Sequence, residues 1–375
     1  MTSVPPVAPT ADDPAALVAL LRELVEIESP TGTPGVAAAS AWTRARLEAL
    51  GGTTVLEDGG HLQVDFPGGG APLVLLAHTD TVWAVGTLAG MPFRVADGRI
   101  HGPGAYDMKA GIVTILAALA EAPRPGDPAR RALRVLITAD EEQGSVSARP
   151  HIAAAAAGAA AALVLEPCLP GGGVKLHRKG IGRFQLTVHG RAAHAGTQPS
   201  PGISAIDELA RQVVAVHGLA DPARGISVNV GVIRGGTAEN VIPARAEAQI
   251  DIRITQQTQA PELESALRAL VPEVAGARHE WTGAWTRPPL ECSPGAEQLF
   301  AAAARHAAAL GLQLDRGGSG GGSDGNLIGA LGVPVLDGLG PDGAGAHATH
   351  EHILAASLPQ RARLLARLLL DPGVA

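Results

Sequence analysis

The pattern that organises the chain is an unbroken apolar run at 73–77 that leads directly into His78, Thr79 and Asp80. Such a run predicts a strand buried on both faces, as in a parallel sheet. Ligands of open α/β sheets bind beyond the carboxyl ends of the strands, and side chains two positions apart share a face. His78 and Asp80 are therefore candidate site residues, although a turn at the strand end would explain Thr79 and Asp80 equally well.

The first half of the chain alternates helical and strand-like patterns, which predicts an α/β fold. Two more of its apolar strands end in acidic residues. The strand at 131–139 is followed by three acids at 140–142, and the strand at 163–165 runs into Glu166. The predicted helices cover 14–27, 35–50, 107–122 and 153–162, and the other predicted strands cover 53–57 and 62–66.

The pattern changes in the middle of the chain, where apolar and polar residues alternate along the predicted strands. Alternation predicts strands with one exposed face, and the element order is β-α-β-β-α-β. We therefore predict a ferredoxin-like α+β domain at 180–288, inserted into a catalytic α/β domain made of 13–179 and 289–375. The strands of the insert are predicted at 182–189, 226–233, 246–254 and 277–282, and its helices at 203–217 and 260–271. Beyond it the pattern predicts a Gly-rich loop at 317–325, a strand at 333–336 and a helix at 354–370.

Composition excludes several classes of function. With 46% hydrophobic and 17% charged residues, the 375-residue chain is expected to fold, and its length allows two domains. A net charge of −7 and only 2% aromatic residues leave neither a basic surface nor stacking platforms for nucleic acids. The apolar run at 152–165 is too short to span a membrane, and no secretory signal is visible, so we expect a cytoplasmic protein. Cys168 and Cys292 cannot supply a disulfide framework for a chain of this size.

Acidic residues or histidine follow each of the three buried strands, and Asp107 and the histidine-rich segment 346–352 add further candidates. Each has a simpler explanation on its own: Asp107 could cap a helix, the acidic pair 141–142 could favour a helix N-terminus, and Glu166 could be a turn residue. Gathered at one edge of the sheet, however, the carboxylates would repel one another strongly. A pair of divalent cations removes that repulsion, and mixed histidine and carboxylate ligands suit zinc or a similar ion.

Seven short motifs follow one another in a specific order along the chain. They are HTD at 78–80, GPGAYDMKAG at 102–111, DEEQGS at 140–145, LEP at 165–167, HAG at 194–196, ENVIPARAEAQIDIR at 239–253 and GAHATHE at 345–351. In this order they resemble the dinuclear zinc exopeptidase and deacylase family, which contains glutamate carboxypeptidase, acetylornithine deacetylase and succinyl-diaminopimelate desuccinylase. The resemblance is strongest to the bacterial folate-cleaving glutamate carboxypeptidases, and it implies a mixed-sheet catalytic domain with an inserted dimerisation domain.

The resemblance also implies a ligand set for two Zn²⁺ ions per chain, which Co²⁺ or Mn²⁺ could replace. The implied ligands are His78 and Glu166 for one ion, Glu142 and His347 for the other, and Asp107 as the bridge between them. The nearby His350 and His352 leave the choice of the last histidine open.

Three further residues receive catalytic roles from the resemblance. Glu141 is implied to be the general base, and Asp80 is implied to orient a ligand, which agrees with the need of a metal-bound imidazole for a partner on its other nitrogen. His194 is implied to stabilise the oxyanion from the inserted domain of a partner subunit. A catalytic His194 therefore implies a homodimer.

The substrate is expected to be a small peptide or an N-acyl amino acid that loses a C-terminal, preferably acidic, amino acid. Arginine recognises a terminal carboxylate best, so Arg253 and Arg287 are candidates, with Asn240 and the glycines at 320–322 as further contacts. Two alternatives stay open: a deacylase such as acetylornithine deacetylase, which would bind a cationic side chain, and a non-catalytic metal-binding protein on the same fold. The presence of Glu141 argues against the last, because only catalysis needs that base.

Overall fold

The computed structural model describes residues 9–123 and 127–374. The helices are α1 (Pro14–Val25), α2 (Pro34–Ala49), α3 (Ala110–Ala120), α4 (Arg149–Ala156), α5 (Ala205–His217), α6 (Gln259–Arg268), α7 (Pro294–Ala309), α8 (Asp324–Gly329) and α9 (Ser357–Leu370). Several begin where the sequence supplies a cap: Asp13, Ser204 and Ser293 each accept a backbone N–H of the first helical turn.

The strands cover most of the predicted positions and several others. They are β1 (Thr53–Asp58), β2 (His61–Phe66), β3 (Gly69–His78), β4 (Arg94–Ala96), β5 (Arg99–His101), β6 (Arg131–Thr138), β7 (Ala161–Val164), β8 (Val174–Arg178), β9 (Gly180–His189), β10 (Ala193–His194), β11 (Ser227–Gly235), β12 (Val241–Ile242), β13 (Arg245–Ile254), β14 (Arg278–Arg287), β15 (Arg316–Ser319), β16 (Val335–Leu336), β17 (Gly343–Ala344) and β18 (His352–Leu354).

The first of two compact units comprises the described parts of Met1–His177, Cys292–Ser319 and Ser323–Ala375. Its central sheet has the order β1-β2-β6-β3-β7-β16. Strand β3 is parallel to β6 and β7, and β16 is parallel to β7, whereas β2 is antiparallel to both β6 and β1. The mixed sheet that the resemblance implied is therefore confirmed.

The sheet centre is buried because its strands are apolar on both faces. The second half of β3, from Leu73 to His78, is buried throughout, as is α3 from Ala110 to Leu119. Helix α3 packs against the amphipathic α9, whose leucines lie in the same core. Helix α3 also contacts β3, and β3 ends at His78, where the predicted site begins.

Two helix predictions were wrong in detail. The helix predicted at 153–162 ends at Ala156, and Ala161 and Ala162 belong to β7, because pairing with β3 and β16 outweighs the helical preference of alanine. Asp107 does not open α3: it lies in an irregular turn at Ala105–Lys109 with non-helical backbone angles, and α3 begins at Ala110. The small sheet β17-β18-β5-β4 was not predicted.

The second unit comprises Arg178–Glu291 and Gly320–Gly322, so it contains the whole of the predicted insert and slightly more at each end. Its elements follow the order β9-α5-β11-β13-α6-β14, and its antiparallel sheet has the strand order β11-β13-β9-β14. The buried residues of α5 and α6 pack with those of the strands in one apolar cluster. This arrangement is the ferredoxin-like one that the alternating pattern predicted.

A fully buried carboxylate, Glu208 of α5, organises the polar interior of the second unit. It accepts the backbone N–H of Glu273 at 3.0 Å and of Val274 at 2.7 Å, and it bonds Gln212 Nε2 at 2.7 Å and His279 Nε2 at 2.8 Å. Burial acts to raise the pKa of Glu208, but these hydrogen bonds outweigh it and hold the pKa below its usual value. The carboxylate therefore remains ionised inside the unit.

Cys168 and Cys292 are both free thiols, as expected for a chain without a disulfide framework. Among the described residues, no helix combines the length and the apolar character needed to cross a bilayer.

Candidate metal centre

The carboxyl ends of three neighbouring parallel strands meet at one edge of the first unit's sheet. Strand β3 lies between β6 and β7, with His78 beside Thr138 and Leu76 beside Val164 in the register. The segments that leave these strands carry the predicted acids and His78. The sequence-based expectation that these strand ends come together is therefore correct.

Two groups of side chains at this edge have the geometry to hold a metal ion. In the first group, His78 Nε2 lies 3.5 Å from Asp107 Oδ1 and 3.7 Å from Glu166 Oε1. In the second, His347 Nε2 lies 3.3 Å from Asp107 Oδ2 and 3.2 Å from Glu142 Oε2. The two oxygens of Asp107 thus face different histidines, which is the arrangement that a bridging carboxylate requires.

The structure distinguishes His347 from its neighbours. His347 belongs to the second ligand group, whereas His350 and His352 belong to neither group found among the described residues. The backbone of His347 has a φ of 61°, and a turn closed by the bond from Ala348 N to Gly345 O at 2.8 Å supports this conformation. Of the three histidines in the segment, His347 is therefore the one placed to bind metal.

Asp80 is fully buried and bonds two of the candidate ligands, His78 and Glu142. Its carboxylate accepts the backbone N–H groups of Glu141 and Glu142, each at 3.1 Å, and the hydroxyl of Thr31 at 2.7 Å. His78 Nδ1 bonds the backbone oxygen of Asp80 at 2.9 Å, and the Asp80 carboxylate is farther away at 3.4 Å. Asp80 therefore orients His78 mainly through its backbone and uses its carboxylate to fix the loop that carries Glu141 and Glu142.

The polar atoms of the centre fit a bound cation. His78 Nε2 is buried and has no hydrogen-bond partner among the described residues, although an unsatisfied buried nitrogen is costly. The bond at Nδ1 leaves the lone pair on Nε2 when the ring is neutral, and the two carboxylates nearest to Nε2 are common partners of zinc. We infer that a divalent cation satisfies this atom.

The pKa shifts of the candidate ligands reflect the negative charge of the carboxylates at the centre. The Asp107 and Glu142 carboxylates raise the pKa of His347 to about 10. Burial lowers the pKa of His78, but the adjacent Asp107 and Asp80 carboxylates more than offset it, so that this pKa is raised. Burial raises the pKa of Asp107, and the two histidines outweigh this effect and lower it. In the absence of metal the carboxylates thus favour the protonated form of both imidazoles, and a cation would take the place of the proton.

Glu141 lies next to the ligand Glu142 but belongs to neither ligand group found in the described residues. It lies in the short turn Glu141–Gln143 that follows β6, and its backbone is fixed by the bond to Asp80. A carboxylate that adjoins a metal centre without being a ligand is suited to accept a proton.

Glu351 is a further residue of the centre, and the hydrophobic pattern of the sequence gives no sign of its importance. This carboxylate is fully buried, and it accepts hydrogen bonds from Trp83 and from the backbone of the turn that carries Asp107. Burial raises its pKa, although these hydrogen bonds act in the opposite direction. The only signal in the sequence was its spacing of four residues after His347.

His194 and Asn240 lie together in the second unit. The two-residue strands β10 and β12 pair His194 with Val241, and Ala195 N donates to the backbone oxygen of Asn240 at 2.9 Å. His194 Nδ1 accepts the N–H groups of Gly196 and Thr197, each at 3.1 Å. These two bonds place the proton of the neutral ring on Nε2, which makes the exposed His194 a hydrogen-bond donor.

The candidate carboxylate-binding arginines also lie in the second unit. Arg253 forms a two-pronged pair with Asp251 at 2.6 and 3.0 Å and donates to Gly320 O at 3.4 Å. Arg287 is 3% exposed, and a side chain at Gly322 would collide with it, since an added Cβ would lie 2.9 Å from Arg287 Cδ. Gly322 therefore allows close packing against Arg287, whereas Gly320 contributes its backbone oxygen to Arg253.

A mixed sheet with carboxylate and imidazole groups gathered at its strand ends is suited to bind the metal ions of a hydrolase. Residues 74–371 match the peptidase family M20/M25/M40. The chain belongs to this family of metallopeptidases and amidohydrolases.

Two curated relatives match along almost their entire lengths. The chain is 31% identical over 375 residues to carboxypeptidase G2 of Pseudomonas sp. (strain RS-16). The alignment covers 96% of this chain and 90% of the relative. It is also 31% identical over 384 residues to succinyl-diaminopimelate desuccinylase of Rhodospirillum centenum (strain ATCC 51521 / SW). This alignment covers 93% of this chain and 94% of the relative. The protein is thus a hydrolase whose relatives include both carboxypeptidases and deacylases.

A solved structure shares the fold. The aminopeptidase PepT from Bacillus cereus ATCC 10987 superposes with a TM-score of 0.82 and 23% sequence identity, covering 96% of this chain and 98% of that chain. At this identity the likeness concerns the fold alone.

Proposed function

We propose that the protein is a metal-dependent carboxypeptidase that releases a C-terminal, glutamate-like amino acid from a small peptide or an N-acyl amino acid. The observation that carries the proposal is the pair of ligand groups joined by Asp107, with Glu141 adjacent to them. The similarity to carboxypeptidase G2 along 96% of the chain favours this substrate class.

The proposed cofactor is a pair of Zn²⁺ ions per chain. One ion would be held by His78, Asp107 and Glu166 and the other by Asp107, Glu142 and His347, ligands that Co²⁺ or Mn²⁺ also accept. When bound, the ions supply Lewis acidity that polarises the scissile carbonyl and makes the attacking water more acidic.

The chain's own residues carry the proton transfers in this mechanism. The Glu141 carboxylate takes a proton from the attacking water and delivers it to the leaving amine. Asp80 keeps Glu141 and Glu142 in place through their backbone N–H groups. His194, with its proton on Nε2, donates a hydrogen bond to the oxyanion that forms on the substrate.

A substrate screen tests the proposal. We expect purified protein loaded with Zn²⁺ or Co²⁺ to release glutamate from folate and from N-acyl-glutamates, as measured by chromatography of the released amino acid, and to lose this activity after chelation. The same screen includes N-acyl-lysine and N-acetylornithine. Full activity on acetylornithine with none on the glutamate substrates would reject the carboxypeptidase assignment.

The second candidate function is that of a small-molecule deacylase. The similarity to succinyl-diaminopimelate desuccinylase along 93% of the chain favours it. Both kinds of substrate carry a carboxylate on the amino acid that is released, so the two functions differ in the side chain that must be recognised. A glutamate-like side chain needs a cationic partner such as arginine, whereas the cationic side chain of acetylornithine needs an acid. Asp251 pairs with Arg253, which makes this acid less suited to bind a cationic substrate.

Replacing Arg253 with lysine is expected to raise KM for glutamate substrates about tenfold or more, with kcat changed much less. Lysine keeps the charge but loses the two-pronged geometry, and a hydrogen bond to a charged group contributes about 1.5–3 kcal/mol. Arg245→Lys is the matched control, because Arg245 lies on the same strand β13 and pairs with a carboxylate two residues away, Glu247 at 3.2 Å. Equal KM values for both variants would exclude Arg253 and leave Arg287 as the candidate.

We also propose a homodimer that forms through the second unit, in a cytoplasmic protein. Strand β11 is at an edge of the sheet, and its side chains Val232 and Ile233 are exposed. An exposed apolar edge strand favours pairing with another chain. This dimer would allow His194 of one subunit to serve the metal centre of the other.

A further inference from the structure

Glu351 connects three segments that surround the metal centre. Its Oε2 accepts the indole N–H of Trp83 at 2.8 Å and the backbone N–H of Gly104 at 3.0 Å. Its Oε1 accepts the backbone N–H of Tyr106 at 2.9 Å and of Asp107 at 3.1 Å. One carboxylate thus holds the segment that leaves β3, the turn that carries the bridging ligand, and its own turn beside His347.

Asp107 is consequently held from two directions by residues of one short turn. His347 Nε2 lies 3.3 Å from the Asp107 carboxylate, while Glu351 accepts the Asp107 backbone N–H four residues further along the chain. The turn is closed by the bond from Glu351 N to Ala348 O at 2.9 Å, so these two contacts are mechanically connected. A displacement of Glu351 would therefore move the bridging carboxylate relative to His347.

The backbone of the Asp107 turn depends on Glu351 for hydrogen-bond acceptors. The Glu351 side chain is fully buried, and a buried polar group is tolerated only when it is hydrogen-bonded. The turn at Ala105–Lys109 has backbone angles that no regular helix supplies, so its N–H groups need an acceptor from elsewhere in the chain. Glu351 is that acceptor for Gly104, Tyr106 and Asp107.

We propose that Glu351 is a positioning residue of the metal centre, which sets the orientation of the bridging Asp107 carboxylate relative to His347 by binding the backbone of the Asp107 turn. This inference rests on the proposed metal ligands but not on the proposed substrate. Glu351 itself contacts neither ion nor substrate in this role.

The test is a metal titration of the Glu351→Gln variant. Glutamine has the same shape, but its NH₂ group replaces one of the two accepting oxygens. This group would face either the N–H groups of Tyr106 and Asp107 or those of Trp83 and Gly104, and two donors that face each other repel. We expect the affinity for Zn²⁺, measured by competition with a chromophoric chelator, to fall about 10- to 100-fold, as is usual when a partner of a metal ligand is lost. We also expect the visible absorption spectrum of the Co²⁺-loaded protein to change, with kcat lowered more than KM.

Glu208→Gln is the matched control. Glu208 is also a fully buried carboxylate with four hydrogen-bond partners, but it lies in the second unit. It should lower the thermal midpoint of unfolding and leave the Zn²⁺ affinity and the Co²⁺ spectrum unchanged. If Glu351→Gln behaves in the same way, Glu351 has only a structural role and the inference is overturned.

The Trp83→Phe variant is a second test of the inference, for use if Glu351→Gln does not fold. This change removes one donor to Oε2 and leaves the Glu351 charge in place, so we expect a smaller loss of Zn²⁺ affinity, about threefold or more, together with a shifted Co²⁺ spectrum. An unchanged affinity and spectrum would refute the inference. Absence of Zn²⁺ binding in the unaltered protein would instead refute the proposed metal centre.

Discussion

Replacing Glu141 with glutamine is expected to lower kcat on the order of 10³-fold or more while two metal ions remain bound per chain. Glutamine cannot accept the proton of the attacking water, but it keeps the size of the side chain and the backbone bond to Asp80. Because Glu141 belongs to neither ligand group, metal content measured by atomic emission should match that of the unaltered protein.

The adjacent Glu142→Gln variant is the matched control, and it is expected to lose metal where Glu141→Gln keeps it. Glu142 is a ligand candidate in the group with Asp107 and His347, so its replacement should lower the affinity of the protein for one of the two ions. Changes in partners of a ligand already cost about 10- to 100-fold in affinity, and the loss of a ligand is expected to exceed that. If Glu141→Gln retains activity, or loses metal as Glu142→Gln does, the assignment of the general base is wrong. Retained metal without turnover in the unaltered protein would favour a non-catalytic metal-binding protein.

The ligand positions could be predicted from the sequence because each follows a recognisable buried strand or a motif. His78 is the last residue of β3 and Glu166 comes just after the end of β7, and parallel strands bring such positions to one edge of a sheet. The same reasoning could not choose among the histidines at 347, 350 and 352. That choice depends on the left-handed backbone of His347 and the turn around it, which no hydrophobic pattern encodes.

The contacts that orient the ligands could not be predicted, because they join distant segments through backbone groups. The sequence predicts that Asp80 orients a ligand, but not that its backbone oxygen lies nearer to His78 than its carboxylate does, nor that the carboxylate binds the N–H groups of Glu141 and Glu142. Glu351 receives donors from two segments that lie more than two hundred residues away in the chain. A sequence pattern reports burial and periodicity, whereas these contacts follow from the path of the loops after folding.

The alanine tract shows a different limit. Alanine favours helix, and its local preference correctly predicted part of α4. The boundary at Ala156 is set by the place of β7 between β3 and β16, where both neighbours supply hydrogen bonds. Local propensity thus identified the element, and tertiary pairing determined where it ends.

A heterodimer of two inactive variants is expected to recover about half of the activity of the unaltered dimer, if His194 serves the partner's metal centre. The two variants are Glu141→Gln and His194→Ala, co-expressed with different affinity tags and purified through both tags. The centre of the His194→Ala subunit keeps its own Glu141 and receives His194 from the other subunit, so it is complete. The centre of the Glu141→Gln subunit lacks both groups and stays inactive.

The two homodimers are the controls, and each is expected to be nearly inactive because every centre lacks either the base or the donor. His194 acting within its own subunit would leave the heterodimer as inactive as the homodimers, since each centre would then carry one defect. Failure to recover any doubly tagged protein would show that the chain does not form the proposed dimer. The yield of doubly tagged protein tests whether the dimer forms, and the activity of that protein tests whether His194 acts across the dimer. The proton on Nε2 makes His194 a donor whether it acts within its own subunit or on the partner.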